Sequence, residues 1–145
     1  MREKLQQMNP YQFENYVVDI FYKDGYRITK TPKSGDFGVD FIARKDNRKI
    51  AVQVKRYKTG NKVGVQDLNQ VIGGRNYYNC DTAMMVTTSS MTYSAWELAN
   101  NTDRVWVWEW EDLKEKIDPP SPEMKALKMI WNVIAFIIAI ATTKH

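Results

Sequence analysis

Apolar side chains recur along this chain in two rhythms. Phe13, Val17, Ile20 and Phe21 fall at the i, i+4, i+7, i+8 spacing of one buried helical face. Asn9, Pro10 and Gln12 stand in front of them as cap, first-turn proline and capping-box partner. A helix is therefore predicted from Pro10 to about Lys23, with Glu14 at the edge of its apolar stripe. Past Asp24-Gly25 the period shortens to two. Tyr26 to Thr29 reads as a short strand and Lys30 to Gly38 as a loop rich in Gly, Pro and small polar residues. Val39 to Arg44 and Lys49 to Lys55 read as two strands joined by the hairpin turn Lys45-Asp46-Asn47-Arg48.

Helical spacing returns at Leu68, Val71 and Ile72, which predicts a helix from Val65 to about Tyr78; Gly73-Gly74 either weakens it or marks a close approach to a neighbour. Thr82 to Thr87 is an apolar strand, Ser90 the expected cap of a helix running to about Asn100, Val105 to Glu109 a strand, and Trp110 to Ile117 a short helix. Asp118-Pro119-Pro120 ends this part, because two prolines cannot continue a helix and push the residue before them extended. The order predicts an α/β domain with a mixed sheet over residues 1–118, then a proline-containing linker and a C-terminal hydrophobic helix over residues 119–145.

That helix starts at Ser121-Pro122-Glu123 and is predicted to reach Thr142, about 31 Å at 1.5 Å per residue. Lys125, Lys128 and Asn132 form a polar stripe in its first half, and beyond Val133 it is apolar on every side. The wholly apolar part is about 15 Å long, half a bilayer core. It demands burial, either in lipid or in protein, within a dimer or against the domain.

Composition narrows the chemistry. With 145 residues, one cysteine (Cys80) and one histidine (His145, the last residue), the chain has no intramolecular disulfide, no zinc-finger ligand set and no plausible imidazole base. Carboxylates, lysines, amides or a bound cation must do any catalysis. Cys80 is expected to be a small buried hydrophobe. A formal charge of +4 and a pI near 9.1 favour a polyanionic partner. The opening Met1 to Leu5 is charged and lacks the apolar run of a signal peptide, so a cytoplasmic protein is expected, at the inner face of the membrane if the terminal helix enters lipid.

Register brings a constellation together. Centring the hairpin turn on Asp46-Asn47 makes paired residue numbers sum to 93 and sets Asp40 opposite Gln53, their Cβ atoms about 5 Å apart. Lys55 shares that face by strand alternation, while Val39, Phe41, Ala43, Ile50, Val52 and Val54 cover the other. A carboxylate and an amide oxygen are hard ligands suited to Mg²⁺, and a nearby ammonium can position a water or stabilise charge on a phosphate. The competing reading is an ordinary ion pair between Asp40 and Lys55 at the sheet rim. From Arg44 to Lys62 stand eight of the 21 Lys and Arg residues against one acid, a footprint of phosphate contact in which Arg44, Lys49, Arg56, Lys58 and Lys62 are the candidate DNA-binding residues; a solvated charged loop is the alternative. Trp106, Trp108 and Trp110 alternate and so face one way, better suited to core or interface than to base stacking. Thr87, Thr88, Ser89 and Ser90 fit phosphate contact, and better still the capping of the next helix.

Phe13-Glu14, the stretch Gly35-Asp36-Phe37-Gly38-Val39-Asp40, the stretch Val52-Gln53-Val54-Lys55-Arg56-Tyr57, and Val86-Thr87-Thr88 together resemble the catalytic domain of the Mrr-type restriction endonucleases, within the PD-(D/E)xK nuclease superfamily, over roughly Pro10 to Ile117. The resemblance implies a restriction-endonuclease-like fold and Mg²⁺-dependent DNA cleavage, with Mn²⁺ as a substitute ion, in restriction or genome defence. It assigns Asp40, Gln53 and Glu14 to the metal site, with Gln53 where other members carry Glu or Asp, and Lys55 as the catalytic lysine. Asp36 reads as a turn residue. Full-length relatives usually carry a separate DNA-reading domain, for which nothing here is long enough, so a homo-oligomer or a separate specificity partner is expected to direct the site. The alternatives are a structure-selective nuclease of repair or recombination, a non-catalytic nuclease-fold DNA-binding module, and a membrane adaptor built on residues 122–142.

Overall fold

In chain order the elements are α1 (Arg2–Gln7), α2 (Pro10–Lys23), β1 (Arg27–Lys30), β2 (Phe41–Lys45), β3 (Arg48–Lys55), α3 (Val65–Tyr77), β4 (Thr82–Thr87), α4 (Tyr93–Asn101), β5 (Val105–Trp108), α5 (Trp110–Ile117) and α6 (Pro122–Thr142). The computed structural model describes residues 1–143; His145, set aside above as a base, and the end of the 119–145 segment lie outside the described residues.

The strands line up in sequence order, and their connections decide their directions. β1, β2 and β3 are antiparallel neighbours; β4 and β5, each reached through a helix, add in parallel. At the β2–β3 turn both Asp46 and Asn47 have positive φ (51° and 61°), the two-residue hairpin geometry that Asn and Asp tolerate. The register pairs Phe41 with Val52, Ile42 with Ala51 and Ala43 with Ile50, as the sequence led us to expect.

Helices cover both faces of the sheet, and here the structure corrects the amphipathic hairpin. Phe41, Ala43, Ile50 and Val52 pack with Leu5, Phe13, Val17, Phe21 and Leu113 from α1, α2 and α5. Ile42, Ala51, Ala83 and Met85 pack on the other face with Leu68, Val71, Ala95 and Ala99 from α3 and α4. Val39 belongs to this second cluster, not to the Phe41 face, because β2 begins only at Phe41 and Gly38 (φ 73°) takes the chain out of strand alternation. β4, between two parallel neighbours, is buried at every position.

Three local features differ from expectation. α1 has only six residues and no side-chain cap, so it carries almost no local signal; it exists because Leu5 is buried in the core and Arg2 Nε donates to Thr88 O (3.0 Å). α4 starts at Tyr93, capped by Thr92 Oγ1 accepting from Ala95 N–H (3.2 Å), because Ser90 to Thr92 are held extended by main-chain bonds to Val63. Trp110 opens α5 as predicted and Trp108 packs on Phe21 (5.1 Å between rings), but Trp106 is not in the core and stays partly exposed beneath the Arg48 guanidinium. No residue of α6 is buried, which removes packing against the domain from its options; Lys128 meets Glu115 of α5 at 2.9 Å.

Candidate active site

Asp40 stands one residue before β2, where that strand stops covering β3. Its N–H donates to Val52 O (2.8 Å) and its Oδ2 accepts from Val54 N–H (2.7 Å), so the carboxylate takes the ladder position that the main chain gives up. Thr31 holds the Asp40 carbonyl from the other side, through its N–H (3.1 Å) and hydroxyl (2.9 Å). Asp36 shapes the approach: Oδ1 accepts from Gly38 N–H (2.9 Å), the side-chain turn expected of it. The loop is wedged against α3. A Cβ on Gly74 would lie 2.3 Å from Val39 Cγ2 and 2.4 Å from Phe37 O, whereas Gly73 faces open space, so the close approach belongs to Gly74 alone.

Burial is the main reason the Asp40 carboxyl is raised from 3.8 to about 6; the Val54 amide opposes it, the carboxylates of Glu14 and Asp36 add to it, and Lys55 pulls back. Glu14 is thus in electrostatic reach of Asp40, yet its own carboxylate is engaged by Lys30 (3.1 Å). Gln53, the residue before the Val54 amide that holds Asp40, is 7% exposed, and its Oε1 is enclosed without a hydrogen-bond donor. A buried acceptor left unmet costs about 1–3 kcal/mol. An orphan amide oxygen one residue from the amide that holds a desolvated carboxylate offers hard oxygen donors fit for Mg²⁺, an ion that keeps several waters and takes few protein ligands. Among the described residues no three His, Cys, Asp or Glu side chains converge on one point, so such an ion would have few protein ligands here.

Lys55 follows two residues after Gln53 and faces α3, where its Nζ lies 3.6 Å from Asp67 Oδ1. The Tyr57 hydroxyl donates to Asp67 Oδ2 (2.9 Å), and the Gly64 N–H reaches the same oxygen (3.3 Å). Tyr57 is pushed up to about 12, by burial first and then by the bond to Asp67 and its charge, so it remains a donor at any working pH. The sequence reading missed Asp67. Its only local signal is an acid in the first turn of a helix, and its meeting with Lys55 is created by the crossover from β3 to α3.

The basic window divides. Lys58 and Lys62 are exposed on the loop after β3; Arg56 is half-buried, donates through Nη1 to Gln6 O (2.6 Å) and keeps an enclosed, unpartnered Nε. Arg44 and Lys49 pair across the turn end of the hairpin, bonded to Thr29 Oγ1 (3.0 Å) and Tyr78 O (2.6 Å). Four strand residues, about 13 Å, separate Lys49 from Gln53. The structure therefore gathers Asp40, Gln53 and Lys55, sets Glu14 close by, and leaves Arg44 and Lys49 at the far end. Thr87, Thr88 and Ser89 are buried and tied to neighbouring loops; Thr88 Oγ1 donates to Tyr57 O (2.7 Å). Cys80 is half-buried beside the second cluster, its thiol raised by burial.

A five-stranded mixed sheet with helices on both faces and an acid, an amide and a lysine at the end of its central hairpin is the restriction-endonuclease-like fold, and solved structures share it. One is the DNA modification-dependent restriction endonuclease AspBHI, with TM-score 0.66 and 20% identity over 80% of this chain and 33% of that one. Another is the MspJI restriction endonuclease solved in complex with a 27-mer oligonucleotide, with TM-score 0.51 and 19% identity over 71% of this chain and 25% of that one. Residues 5–117 match the family model of the Mrr catalytic domain, described as a restriction endonuclease, and the chain belongs to that family. It is 28% identical over 119 residues to the type IV methyl-directed restriction enzyme EcoKMrr of Escherichia coli strain K12; the match takes in 77% of this chain but 38% of that enzyme, so the chain spans well under half the length of its relative.

Proposed function

We propose that the protein is a Mg²⁺-dependent endonuclease that hydrolyses DNA phosphodiester bonds. One observation carries this reading: Gln53 Oε1 is buried without a hydrogen-bond donor, and the amide of the next residue, Val54, holds a carboxylate that burial has lifted to about 6, an arrangement costly in the metal-free protein and one that a bound cation would relieve. Asp40 and Gln53 would hold a divalent ion, which would supply Lewis-acid polarisation of the phosphoryl oxygen and a water of lowered pKa. Asp40 is fixed for this by the Val54 amide, and Gln53 by its burial in the sheet. Lys55 brings an ammonium to the same end of β3, where it orients the attacking water and offsets charge on the phosphate, and Asp67 with Tyr57 limits where that ammonium can go. Lys58 and Lys62 contribute sequence-independent affinity for the DNA backbone. Glu14 would have to leave Lys30 to reach the ion.

Membership of the Mrr family and the methyl-directed relative support a role in restriction, and make modified DNA the first substrate to test. The test is nicking of methylated and unmethylated supercoiled plasmid in Mg²⁺, in EDTA, and with Lys55→Ala. Cleavage should require the metal and vanish in the variant, whose DNA binding should persist. Normal cleavage by Lys55→Ala would overturn the assignment.

A further inference from the structure

More than half of the large apolar side chains exposed on the protein belong to α6. The helix is well founded: Ser121 Oγ accepts from Met124 N–H (3.2 Å), Pro122 takes the first position, and Glu123 lies in the first turn. Yet none of its 21 residues is buried, and Trp131, Phe136 and Ile137 are 67%, 66% and 59% exposed.

The two halves differ in what could cover them. Lys125, Lys128 and Asn132 line the side of the first half that faces α5, together with Glu115 and Lys116. From Val133 to Ala141 there is no polar residue. At about 100° per residue those positions point in every direction around the axis, so no apolar seam is opposed by a polar back. A second copy of the helix, or a groove on another protein, covers one side and leaves Ile or Phe in water on the other. Lipid covers all sides at once.

Charge and length fit the same surroundings. Lys125 and Lys128 on α6 and Lys114 and Lys116 on α5 are exposed at the entry end, among the exposed acids Glu111, Asp112, Glu115, Asp118 and Glu123, with Lys128 paired to Glu115 (2.9 Å), and Trp131 follows this charged stretch before the apolar part begins. Cations in the headgroup layer and an amphipathic ring at its boundary are the usual order at a membrane surface. Trp131 to Thr142 spans about 18 Å, about the depth of one hydrocarbon leaflet, and the mean hydropathy of the helix's best window is 1.8. Only Glu123, Lys125 and Lys128 carry charge, all in the first two turns, where lysine stems can reach back to the surface. We infer that α6 inserts into a lipid bilayer, with the charged stretch through Lys128 at the headgroup level and the segment beyond Trp131 within the hydrocarbon.

The experiment is flotation of the full chain, diluted from detergent, with vesicles of pure phosphatidylcholine and of phosphatidylcholine with phosphatidylglycerol. The protein should rise with both kinds, and Lys125→Gln with Lys128→Gln should not prevent flotation. Ile134→Asp with Ile138→Asp should reduce flotation to the level seen without lipid, while circular dichroism and plasmid nicking report that the domain is intact. Failure of the unsubstituted chain to float with either vesicle, together with a dimer in lipid-free sedimentation that the two aspartates dissociate, would overturn the inference and assign the helix to a second copy of the chain. Plasmid nicking is scored separately, so a membrane result and a nuclease result cannot be confused.

Discussion

Replacing Asp40 by asparagine should stabilise the metal-free protein. The carboxyl is lifted from 3.8 to about 6 on folding, chiefly by burial, so between those values the native state holds more protons than the unfolded chain. Stability therefore falls as pH rises through that window and stays low above it, where the carboxylate is charged in both states. A shift of about 2 units at about 1.4 kcal/mol per unit makes the loss on the order of 3 kcal/mol at neutral pH. Asparagine can keep the acceptor for the Val54 N–H (2.7 Å) and carries no charge, so it escapes the loss. In EDTA at pH 8, urea unfolding followed by circular dichroism should place the Asp40→Asn midpoint higher by about 1 M or more, given slopes of about 1–3 kcal/mol per molar urea. At pH 4 the two midpoints should nearly coincide. Adding Mg²⁺ at pH 8 should raise the unsubstituted protein alone, and the variant should not nick plasmid. A gap of equal size at pH 4 and pH 8, or none at pH 8, would refute the assignment of this cost to the buried charge.

Asp67→Asn leaves a partner for Tyr57 but removes the charge beside Lys55, and should slow nicking at saturating DNA by about ten- to a hundredfold, the scale on which misplaced reacting groups are felt, with DNA affinity unchanged. Recovery in Asp67→Glu would mark the charge rather than the helix cap as the working feature, and unaltered nicking in Asp67→Asn would reduce Asp67 to a cap. Gly74→Ala forces Val39 and the Phe37 carbonyl aside and should cost about 1–3 kcal/mol in urea unfolding and impair cleavage. Gly73→Ala, one residue earlier with nothing near its Cβ, should instead gain about 0.5–1 kcal/mol and cut normally.

What could be read in advance was whatever a short stretch of chain encodes by itself. The β2–β3 register from Phe41 to Lys45 follows from a two-residue turn, whereas the expected pairing of Asp40 with Gln53 falls beyond the start of β2, where the Asp40 N–H reaches Val52 O instead. The capping box of α2, with Gln12 N–H donating to Asn9 Oδ1 (2.8 Å), is equally local. The helix over residues 65–77 was legible from three apolar positions, but which of its two glycines is confined depends on where the Asp36–Asp40 loop lies, and that is a tertiary fact. The same holds for Asp67, and for Arg44 and Lys49, whose closeness in sequence to Lys55 says nothing of the extended strand that carries them away from it. Val39 was assigned to the wrong face because alternation was extended past the point where the strand begins. α1 could not be seen because its support comes from residues about 50 to 90 positions away, as when Gln6 Nε2 donates to Tyr57 O (3.1 Å).

Among the described residues, β3 alone has an antiparallel neighbour on one side and a parallel neighbour on the other, and this bears on the order of assembly. The hairpin with β2 closes through two residues, so the Asp40 and Gln53 segments can come together early in folding. Pairing with β4 must wait for a crossover through α3, and contacts of such sequence separation form slowly because the loop's entropy is lost before they reward it. Asp67 arrives beside Lys55 only with that crossover, and the Arg56–Tyr57 segment is tied down only when α1 returns to it. On the proposed reading, a chain emerging from the ribosome would place the Asp40 and Gln53 segments before Lys55 meets Asp67, and DNA nearby would meet a competent site only once the whole sheet has closed.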